Sequence, residues 1–263
     1  MCEETANLPV LGYLETNLVD HCNLNCKSCG HFSNIADKSF YDVSAFEKDM
    51  QRLAELFSDI KKIRLMGGEP LLHPELVKLM GISRKCFPNS WIVIVTNGIL
   101  LAEKDDLFWK SCLENNIAIE MTTYPIKLKL ETIKRRAEKH SVVFSQDRSV
   151  EKFVAFMNIV GDSPIAQAIE NCGGRRGCTN LYNGFIYRCP RTAYVSLYNK
   201  KFGTSIPSSG YDTHAKDASG PKIVDFIKQP VETCRFCSLV HKEIKWGPGK
   251  GKKEEWLACI KLG

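Results

Sequence analysis

The chain has 263 residues, 12 of them cysteine, and a formal net charge of +6. A chain of this length buries a hydrophobic core without disulfide staples, and 44% hydrophobic with 25% charged residues exclude a disordered chain, a collagen and a coiled coil. No apolar run approaches the roughly 18 residues that cross a bilayer, so we expect no membrane association. The mild positive charge suits an anionic small-molecule substrate, and we expect no nucleic-acid partner.

The N-terminal sequence MCEETANLPVLGYLE has neither the basic n-region nor the apolar h-region of a signal peptide. We therefore expect a cytoplasmic protein. In that compartment disulfides are rare, and grouped cysteines more often bind metal or carry out redox chemistry.

Strand-like and helix-like segments alternate over the first two-thirds of the sequence. A capping box formed by Ser44 and Glu47 opens the first predicted helix, and the run WIVIVT is typical of a parallel strand buried on both faces. Predicted strands cover residues 12–19, 63–66, 91–96, 117–122, 142–145 and 153–159. Predicted helices cover residues 43–57, 74–87, 107–114 and 128–139.

This alternation predicts βαβ units with right-handed crossovers. Because six strands are too few for a closed eight-stranded barrel, the predicted fold class is α/β: a partial (β/α)6 TIM-like barrel with its active site at the C-terminal ends of the strands. After about residue 171 the helical periodicity fades and Gly, Cys and Pro become common. We expect residues 1–170 to form the barrel and residues 171–263 a small, cysteine-rich α+β domain with a hairpin turn at Asn183-Gly184.

Three cysteines follow the first predicted strand in the pattern C-x3-C-x2-C: Cys22, Cys26 and Cys29. A structural zinc ion takes a fourth ligand and commonly uses paired C-x2-C spacings, whereas three cysteines on one loop suit an iron–sulfur cluster with one iron free of protein ligands. The pattern and its place after a strand resemble the radical S-adenosylmethionine (radical SAM) superfamily. The resemblance implies that the three cysteines bind a [4Fe–4S] cluster and that the amino and carboxylate groups of SAM chelate its fourth iron.

A second motif, MGGEPLLHPEL, follows the second predicted strand and resembles the GGEP motif of the same family, whose backbone and glutamate engage the SAM amino group. The family often has an aromatic or bulky residue before its third cysteine. Here that position is Ser28, and Phe32 either replaces it near the adenine or packs in the core. The resemblance assigns SAM binding to Gly67, Gly68, Glu69, Pro70, Thr96, Asn97 and Phe32.

A second set of cysteines lies in the C-terminal part. Its spacing resembles the Twitch domain, a shortened SPASM domain in which four cysteines hold one auxiliary [4Fe–4S] cluster. The resemblance implies the ligands Cys172, Cys189, Cys234 and Cys237. Cys178 is an alternative ligand to Cys172, a catalytic thiol that donates a hydrogen atom, or a plain buried cysteine. A structural zinc site is the rival metal interpretation.

Other side chains are weaker candidates. Five polar residues either contact SAM or substrate inside the barrel or are ordinary barrel residues: Glu15, Asn17, Glu120, Thr122 and Tyr124. Four arginines near the second cysteine set either bind a phosphate or carboxylate or offset the charge of an anionic cluster: Arg175, Arg176, Arg188 and Arg191. Cys259 is a second candidate hydrogen donor, and Cys2 needs no function.

The resemblance implies a reaction in which a flavodoxin- or ferredoxin-type donor reduces the first cluster, SAM is cleaved to a 5′-deoxyadenosyl radical, and the radical removes a hydrogen atom from a substrate C–H bond. We therefore expect a radical SAM oxidoreductase acting on a polar small molecule, such as a sugar, a polyol or a nucleotide-linked derivative. Its expected cofactors are SAM and two [4Fe–4S] clusters, the auxiliary one accepting an electron. Alternatives are an epimerase or dehydratase, a peptide maturase and, from another class, a non-catalytic metal-binding scaffold.

Overall fold

The computed structural model describes residues 8–147, 149–172 and 177–258. Its strands are β1 (Val10–Leu11), β2 (Leu14–Val19), β3 (Asp59–Ile60), β4 (Lys62–Gly67), β5 (Trp91–Thr96), β6 (Ile117–Met121), β7 (Phe144–Gln146), β8 (Lys152–Met157), β9 (Asn180–Tyr182), β10 (Phe185–Tyr187), β11 (Gly210–Asp212) and β12 (Cys237–Lys245). The largest sheet has eight strands in the order β11-β10-β9-β2-β4-β5-β6-β7.

The helices described are α1 (Val43–Leu56), α2 (Leu76–Cys86), α3 (Asp106–Glu114), α4 (Leu130–Lys139), α5 (Ile165–Glu170), α6 (Pro190–Phe202) and α7 (Gly220–Lys228). None of them is long and apolar enough to cross a membrane. Helix α1 is capped by Asp42, whose carboxylate accepts from the Ala45 N–H at 2.9 Å. The expected capping box is therefore wrong, because Ser44 already lies inside the helix.

The first five predicted strands become β2, β4, β5, β6 and β7, which are parallel neighbours in this sheet. Helices α1 to α4 connect them in turn, so the predicted βαβ units and the α/β fold class are confirmed. Residues 92–96 of β5 are buried, as expected for a strand covered on both faces. The carboxyl ends of the parallel strands meet at one edge of the sheet, where the chemistry was expected.

The sixth predicted strand differs from the expectation. It becomes β8, but it pairs antiparallel with β12 in a separate two-stranded sheet. A parallel strand requires a crossover of about a dozen residues or more, and residues 147–151 are too few to carry the chain back beside β7.

The sixth parallel strand of the large sheet is β9, which lies on the other side, next to β2. Strands β10 and β11 then extend the sheet in antiparallel fashion. Asn183 and Gly184 join β9 to β10 with φ angles of 48° and 79°, the positive values of the predicted type I′ turn. The sheet thus continues across the domain boundary expected at residue 170.

Helix α6 has no counterpart among the predicted elements. Its consecutive residues Ala193, Tyr194 and Val195 are all buried, so the helix is enclosed on several sides. A helix of this kind lacks the apolar stripe at a period of 3.6 residues that reveals a surface helix in a sequence.

Two large hydrophobic clusters hold the molecule together. The larger packs the helices of the barrel against the sheet. The smaller, here called the aromatic cluster, joins the segment after the first cysteine set to the C-terminal part, and it contains Phe32, Phe156, Tyr194, Tyr198 and Trp256. The ring centroid of Phe32 lies 5.5 Å from that of Tyr198 and 5.8 Å from that of Trp256.

Candidate functional site

A cavity of about 350 Å³ opens at the carboxyl ends of β2, β4 and β5. Its wall contains the three cysteines of the N-terminal set, Cys22, Cys26 and Cys29. Further lining residues come from the ends of the neighbouring strands: Gly67, Gly68, Thr96, Asn97, Thr122 and Tyr124. The parallel sheet therefore brings together motifs that are far apart in the sequence.

The glycine pair at the end of β4 lies against the backbone that starts the cysteine loop. The Gly68 N–H donates to the Val19 carbonyl at 2.7 Å, and the Glu69 N–H donates to the His21 carbonyl at 3.2 Å. A Cβ atom on Gly68 would lie 2.0 Å from the His21 carbonyl oxygen and 2.8 Å from the Cys22 nitrogen. Only a residue without a Cβ atom permits this approach.

Glu69 is fully buried behind this wall. Its Oε1 accepts from the Thr96 hydroxyl at 2.7 Å and from the Leu71 N–H at 3.0 Å, and its Oε2 accepts from the Asn97 N–H at 2.9 Å. Burial raises the pKa of Glu69 to about 7, and the three hydrogen bonds oppose that rise. The carboxyl group thus joins the end of β4 to the end of β5.

The Asn97 side chain reaches from the end of β5 to the cysteine loop. Its Nδ2 donates to Asn23 Oδ1 at 2.7 Å and lies 3.7 Å from Cys22 Sγ. Its Oδ1 accepts from the Ile99 N–H at 3.0 Å, so the amide is oriented from both ends. Cys22 Sγ also accepts from the Leu24 N–H at 3.3 Å. These contacts fix the first cysteine relative to the sheet.

A residue from the C-terminal part completes this site. Trp246 Nε1 donates to Cys26 Sγ at 3.3 Å, and the Trp246 ring stacks on Tyr124 with centroids 5.4 Å apart. Trp246 is not among the predicted site residues. The signal that could have found it is the aromatic residue before the Gly-Pro-Gly turn in WGPG, which stands in a stretch dominated by lysines.

A second cavity, of about 290 Å³, is lined by all five cysteines of the C-terminal set: Cys172, Cys178, Cys189, Cys234 and Cys237. Cys189 is the N-cap residue of α6, and Pro190 takes the first helical position. The positive end of the helix dipole therefore lies beside these sulfur atoms, where it favours negative charge.

Two arginines near this cavity have different roles. Arg191 donates from Nη1 to Cys237 Sγ at 3.3 Å, and its guanidinium carbon lies 3.5 Å from the ring centroid of Phe156. Arg188 donates from Nη1 to the carbonyls of residues 227–229 at 3.3, 2.8 and 2.6 Å, which closes the C-terminal end of α7. Of the two, Arg191 is the one that contacts a cysteine sulfur.

Among the described residues, four line both cavities, and we call them the shared wall: Gly30, His31, Cys178 and Pro190. His31 is half-buried between the two sites, with Nδ1 3.0 Å from Asn17 Oδ1 and its ring stacked on Tyr194. Burial lowers the pKa of His31. The two cysteine-lined cavities therefore adjoin, and Cys178 of the C-terminal set lines both of them.

The comparison with protein families gives a match between residues 16–143 and the Radical SAM superfamily. Residues 16–143 are a radical SAM domain. This family uses SAM and a [4Fe–4S] cluster, as the cysteine pattern indicated.

Curated relatives of this domain include the GTP 3′,8-cyclase of Peptoclostridium acidaminophilum, 35% identical over 95 residues, which are 35% of this chain and 29% of that protein. The molybdenum cofactor biosynthesis protein 1 of Bos taurus is 32% identical over 167 residues, 63% of this chain and 24% of that protein. The chain thus spans between 24% and 29% of the length of these relatives.

Among solved structures, the crystal structure of BtrN in complex with AdoMet and 2-DOIA is similar with a TM-score of 0.50 and 16% sequence identity. The similarity covers 88% of this chain and 94% of that chain. It shows a common fold and supports the partial-barrel architecture.

The radical SAM domain places the residues expected to bind SAM in three different environments. Gly67, Gly68, Thr96 and Asn97 line the cavity, whereas Glu69 and Pro70 are buried and are not among its lining residues.

Phe32 lies in the aromatic cluster, fully buried and away from the cavity wall. This is the second of the two places expected for Phe32, and its contact with SAM stays a prediction. Ser28, at the family's aromatic position, donates to the Val154 carbonyl at 3.0 Å.

The barrel floor beneath the radical SAM cavity carries paired charges. Arg64 Nη1 lies 3.1 Å from Glu15 Oε1, and Lys62 Nζ lies 2.6 Å from Glu120 Oε1. Glu15 and Arg64 line the cavity together with Thr122. The remaining candidates Cys2, Arg175, Arg176 and Cys259 lie outside the described residues.

The N-terminal cysteines fit the cluster of this family by their donor set. Burial raises the pKa of Cys22 to about 12 and that of Cys26 to about 11, so these thiols stay protonated unless a cation offsets the thiolate charge. Iron supplies such a charge. Within the described ranges no three Cys, His, Asp or Glu side chains are arranged to hold a single metal ion; a four-iron cluster is larger and its thiolates stand further apart.

Proposed function

We propose that the protein is a radical SAM oxidoreductase that holds two [4Fe–4S] clusters and oxidises a polar small molecule at a C–H bond. The observation that carries this proposal is the shared wall, a single layer of residues between the two cysteine-lined cavities. A substrate in the first cavity would lie next to the second cysteine set, so an electron released during oxidation would have a short path.

In this proposal Cys22, Cys26 and Cys29 hold the first cluster. The backbone of Gly67 and Gly68 and the side chains of Thr96 and Asn97 would orient SAM, since they line the same cavity. When bound, the first cluster and SAM supply a 5′-deoxyadenosyl radical for hydrogen-atom abstraction, and the second cluster supplies an electron acceptor. Tyr124 and Trp246 stack at the cavity and would exclude water from it.

The second cluster is proposed at Cys172, Cys189, Cys234 and Cys237. Support comes from their common cavity, from the N-terminus of α6 beside Cys189, and from the hydrogen bond between Arg191 and Cys237. The helix N-terminus and the arginine both favour negative charge at that place. Cys178 also lines this cavity, so it remains the alternative ligand to Cys172 in the proposal.

The proposed substrate is a hydroxylated small molecule such as a sugar, a polyol or a nucleotide-linked derivative. The polar floor at Glu15 and Arg64 supports this, because a paired carboxylate and guanidinium can both donate to and accept from hydroxyl groups. We further propose a flavodoxin- or ferredoxin-type electron donor and a cytoplasmic location.

Two other reactions have specific support. Cys178 lies in the shared wall and could return a hydrogen atom to a substrate radical, which would make the protein an epimerase. The curated relatives named GTP 3′,8-cyclase instead suggest a cyclisation of GTP, supported by 35% identity over 95 residues.

Iron analysis tests the cluster assignment. Anaerobically reconstituted protein should contain about eight irons, four for each cluster. A Cys22→Ala, Cys26→Ala, Cys29→Ala variant and a Cys234→Ala, Cys237→Ala variant should each lose about four. Wild-type protein with only about four irons, unchanged in the second variant, would contradict the auxiliary cluster.

Product analysis tests the reaction. With dithionite and SAM the protein should form 5′-deoxyadenosine, and formation should rise when a panel of sugars, polyols and nucleotide-linked sugars contains the substrate. In deuterated water an oxidised product carries no solvent deuterium at the reacting carbon, whereas an epimerised product carries one. Turnover of GTP and none of the panel would favour the cyclase reaction over the proposal.

A further inference from the structure

Residues 246–249, which we call the strap, run alongside the N-terminal cysteine loop. The Lys27 N–H donates to the Gly247 carbonyl at 3.1 Å, and the Gly249 N–H donates to the Asn25 carbonyl at 2.6 Å. The Asn25 side chain returns a bond from Nδ2 to the Gly249 carbonyl at 2.7 Å. Cys26 and Pro248 form an antiparallel bridge. The strap therefore holds the backbone on both sides of Cys26.

Trp246, the first residue of the strap, is held in three ways. Its backbone N–H donates to the Glu151 carbonyl at 2.8 Å, its ring stacks on Tyr124 at an interplanar angle of 29°, and its indole N–H donates to Cys26 Sγ at 3.3 Å. An indole has one N–H and no acceptor nitrogen, so this group can only donate to the sulfur. The stack and the backbone bond fix the direction of that N–H.

Cys26 differs in this respect from Cys22, whose sulfur has both of its donors in the N-terminal part of the chain: the Leu24 N–H at 3.3 Å and Asn97 Nδ2 at 3.7 Å. The donor to Cys26 comes from a side chain 220 residues away. A local N–H is present whenever the loop is folded, whereas the Trp246 N–H is present only when the strap is in place. The sulfur environment of Cys26 thus depends on the C-terminal part of the chain.

A hydrogen bond to a cluster-ligating sulfur changes the reduction potential of the cluster. Adding an electron makes the cluster and its thiolates more negative, and an N–H donor stabilises that form more than the oxidised form. Removing the donor consequently makes reduction harder.

We propose that Trp246 is a positioning residue that holds Cys26 through its indole N–H and raises the reduction potential of the cluster on the N-terminal cysteines, so that the C-terminal part of the chain determines how readily this cluster is reduced. This inference rests on the proposed cluster at Cys22, Cys26 and Cys29. The strap would then influence the reduction of the cluster in addition to holding the backbone around Cys26.

The experiment compares Trp246→Phe with wild-type protein and with the control variant Trp91→Phe. Trp91 is exposed and begins β5, at the opposite end of the strand from the cavity. Reconstituted proteins are titrated under electrochemical control, and the midpoint potential is followed by EPR of the cluster whose spectrum changes on adding SAM. We expect full iron content in all three. We expect the equilibrium constant for reduction to fall about threefold to tenfold in Trp246→Phe alone, a shift of roughly 30 to 60 mV to more negative potential for one electron.

A second variant separates the N–H from the shape of the ring. Replacing Trp246 by benzothienylalanine keeps the bicyclic ring and its stack on Tyr124 but removes the donor, and it should shift the potential as Trp246→Phe does. An unchanged potential in the isosteric variant with full iron content overturns the inference and leaves Trp246 a structural residue. If the Cys22→Ala, Cys26→Ala, Cys29→Ala variant retains all its iron, the proposed function itself has failed, and the two failures are thus distinguishable.

Discussion

At the scale of single residues, the first cysteine-lined cavity depends on a glycine that lacks a Cβ atom and on a buried carboxyl group. Gly68 is required because the His21 carbonyl and the Cys22 nitrogen occupy the space where its side chain would begin. Glu69 is required because three hydrogen bonds converge on its carboxyl group. Both residues were expected from the sequence, but as direct SAM contacts; the structure gives them the further task of joining two strand ends and the cysteine loop.

Gly68→Ala should displace the cysteine loop. A Cβ atom 2.0 Å from a carbonyl oxygen belongs to no stable structure, so the backbone near His21 must move. Such overpacking costs about 1–3 kcal/mol, which urea unfolding can measure. The variant should also lose most of the iron of the first cluster. Gly12→Ala is the matched control, because nothing lies within 4 Å of its Cβ position, and it should leave both quantities unchanged.

Glu69 should make stability depend on pH. Its pKa is raised from 4.5 to about 7, so the folded protein keeps a proton that the unfolded chain releases. Stability from this group is complete below about pH 4.5 and is lost as pH rises through 7, a change of up to about 3 kcal/mol. The lowered pKa of His31 acts with the opposite sign, favouring the folded state as pH rises.

Comparing urea unfolding of wild-type and Glu69→Gln protein between pH 4.5 and pH 8 isolates the Glu69 contribution, since His31 is common to both. Stability should fall more steeply with pH in the wild-type protein. Parallel curves would show that Glu69 titrates normally. The variant should also be less stable throughout, because its amide NH₂ would face the Asn97 N–H or the other donors.

At the scale of elements, the predictions succeeded where local sequence decides and failed where tertiary contacts decide. The conformations of the buried run of β5 and of the Asn183-Gly184 turn are determined by their own residues. Strand β8 was predicted as a strand, yet its partner is set by a short connection and by β12, about 80 residues later. Helix α6 was missed because its consecutive buried residues 192–195 break the apolar stripe at a period of 3.6 residues.

Phe32 illustrates the same limit. Its position after the third cysteine matches both an adenine contact and a core residue, and the surrounding sequence does not contain the distant residues of the aromatic cluster against which it packs. Phe32→Leu should therefore lower the free energy of unfolding by about 1–2 kcal/mol through lost packing and leave SAM binding unchanged. Urea unfolding and equilibrium dialysis with labelled SAM measure the two effects. A loss of SAM affinity without a loss of stability would show that Phe32 contacts SAM and would contradict this prediction.

At the scale of the whole molecule, the two cysteine sets belong to one continuous structure. Strand β9 pairs with β2, strand β12 pairs with β8, and the aromatic cluster packs residues from both sides of position 170. The motifs were enough to predict both cysteine groups and the family. They could not predict the shared wall or Trp246, because these depend on contacts between distant parts of the chain.

A fragment of residues 1–170 should consequently fail to fold by itself. It would expose the edge of β2, leave β8 without a partner and remove Tyr198 and Trp256 from around Phe32. We expect no cooperative urea transition and no near-ultraviolet circular dichroism of the fragment, in contrast to the full chain. A fragment that unfolds cooperatively would show that the barrel domain expected at residues 1–170 folds without the C-terminal part.

Strand β12 begins at Cys237 and leads directly into Trp246, so one strand reaches both cysteine-lined cavities. The pairing of β12 with β8 changes register between Cys237 and Lys242, but from Lys242 onwards it is regular and the side chains alternate between the two faces of the strand. Adding or deleting one residue in that regular part would turn Trp246 away from Cys26 while Cys237 stayed in place. The number of residues in β12 thus sets the position of Trp246 relative to Cys237. Substitutions at the exposed residues Lys242 and Glu243 keep the number of residues between Cys237 and Trp246, whereas insertions and deletions do not.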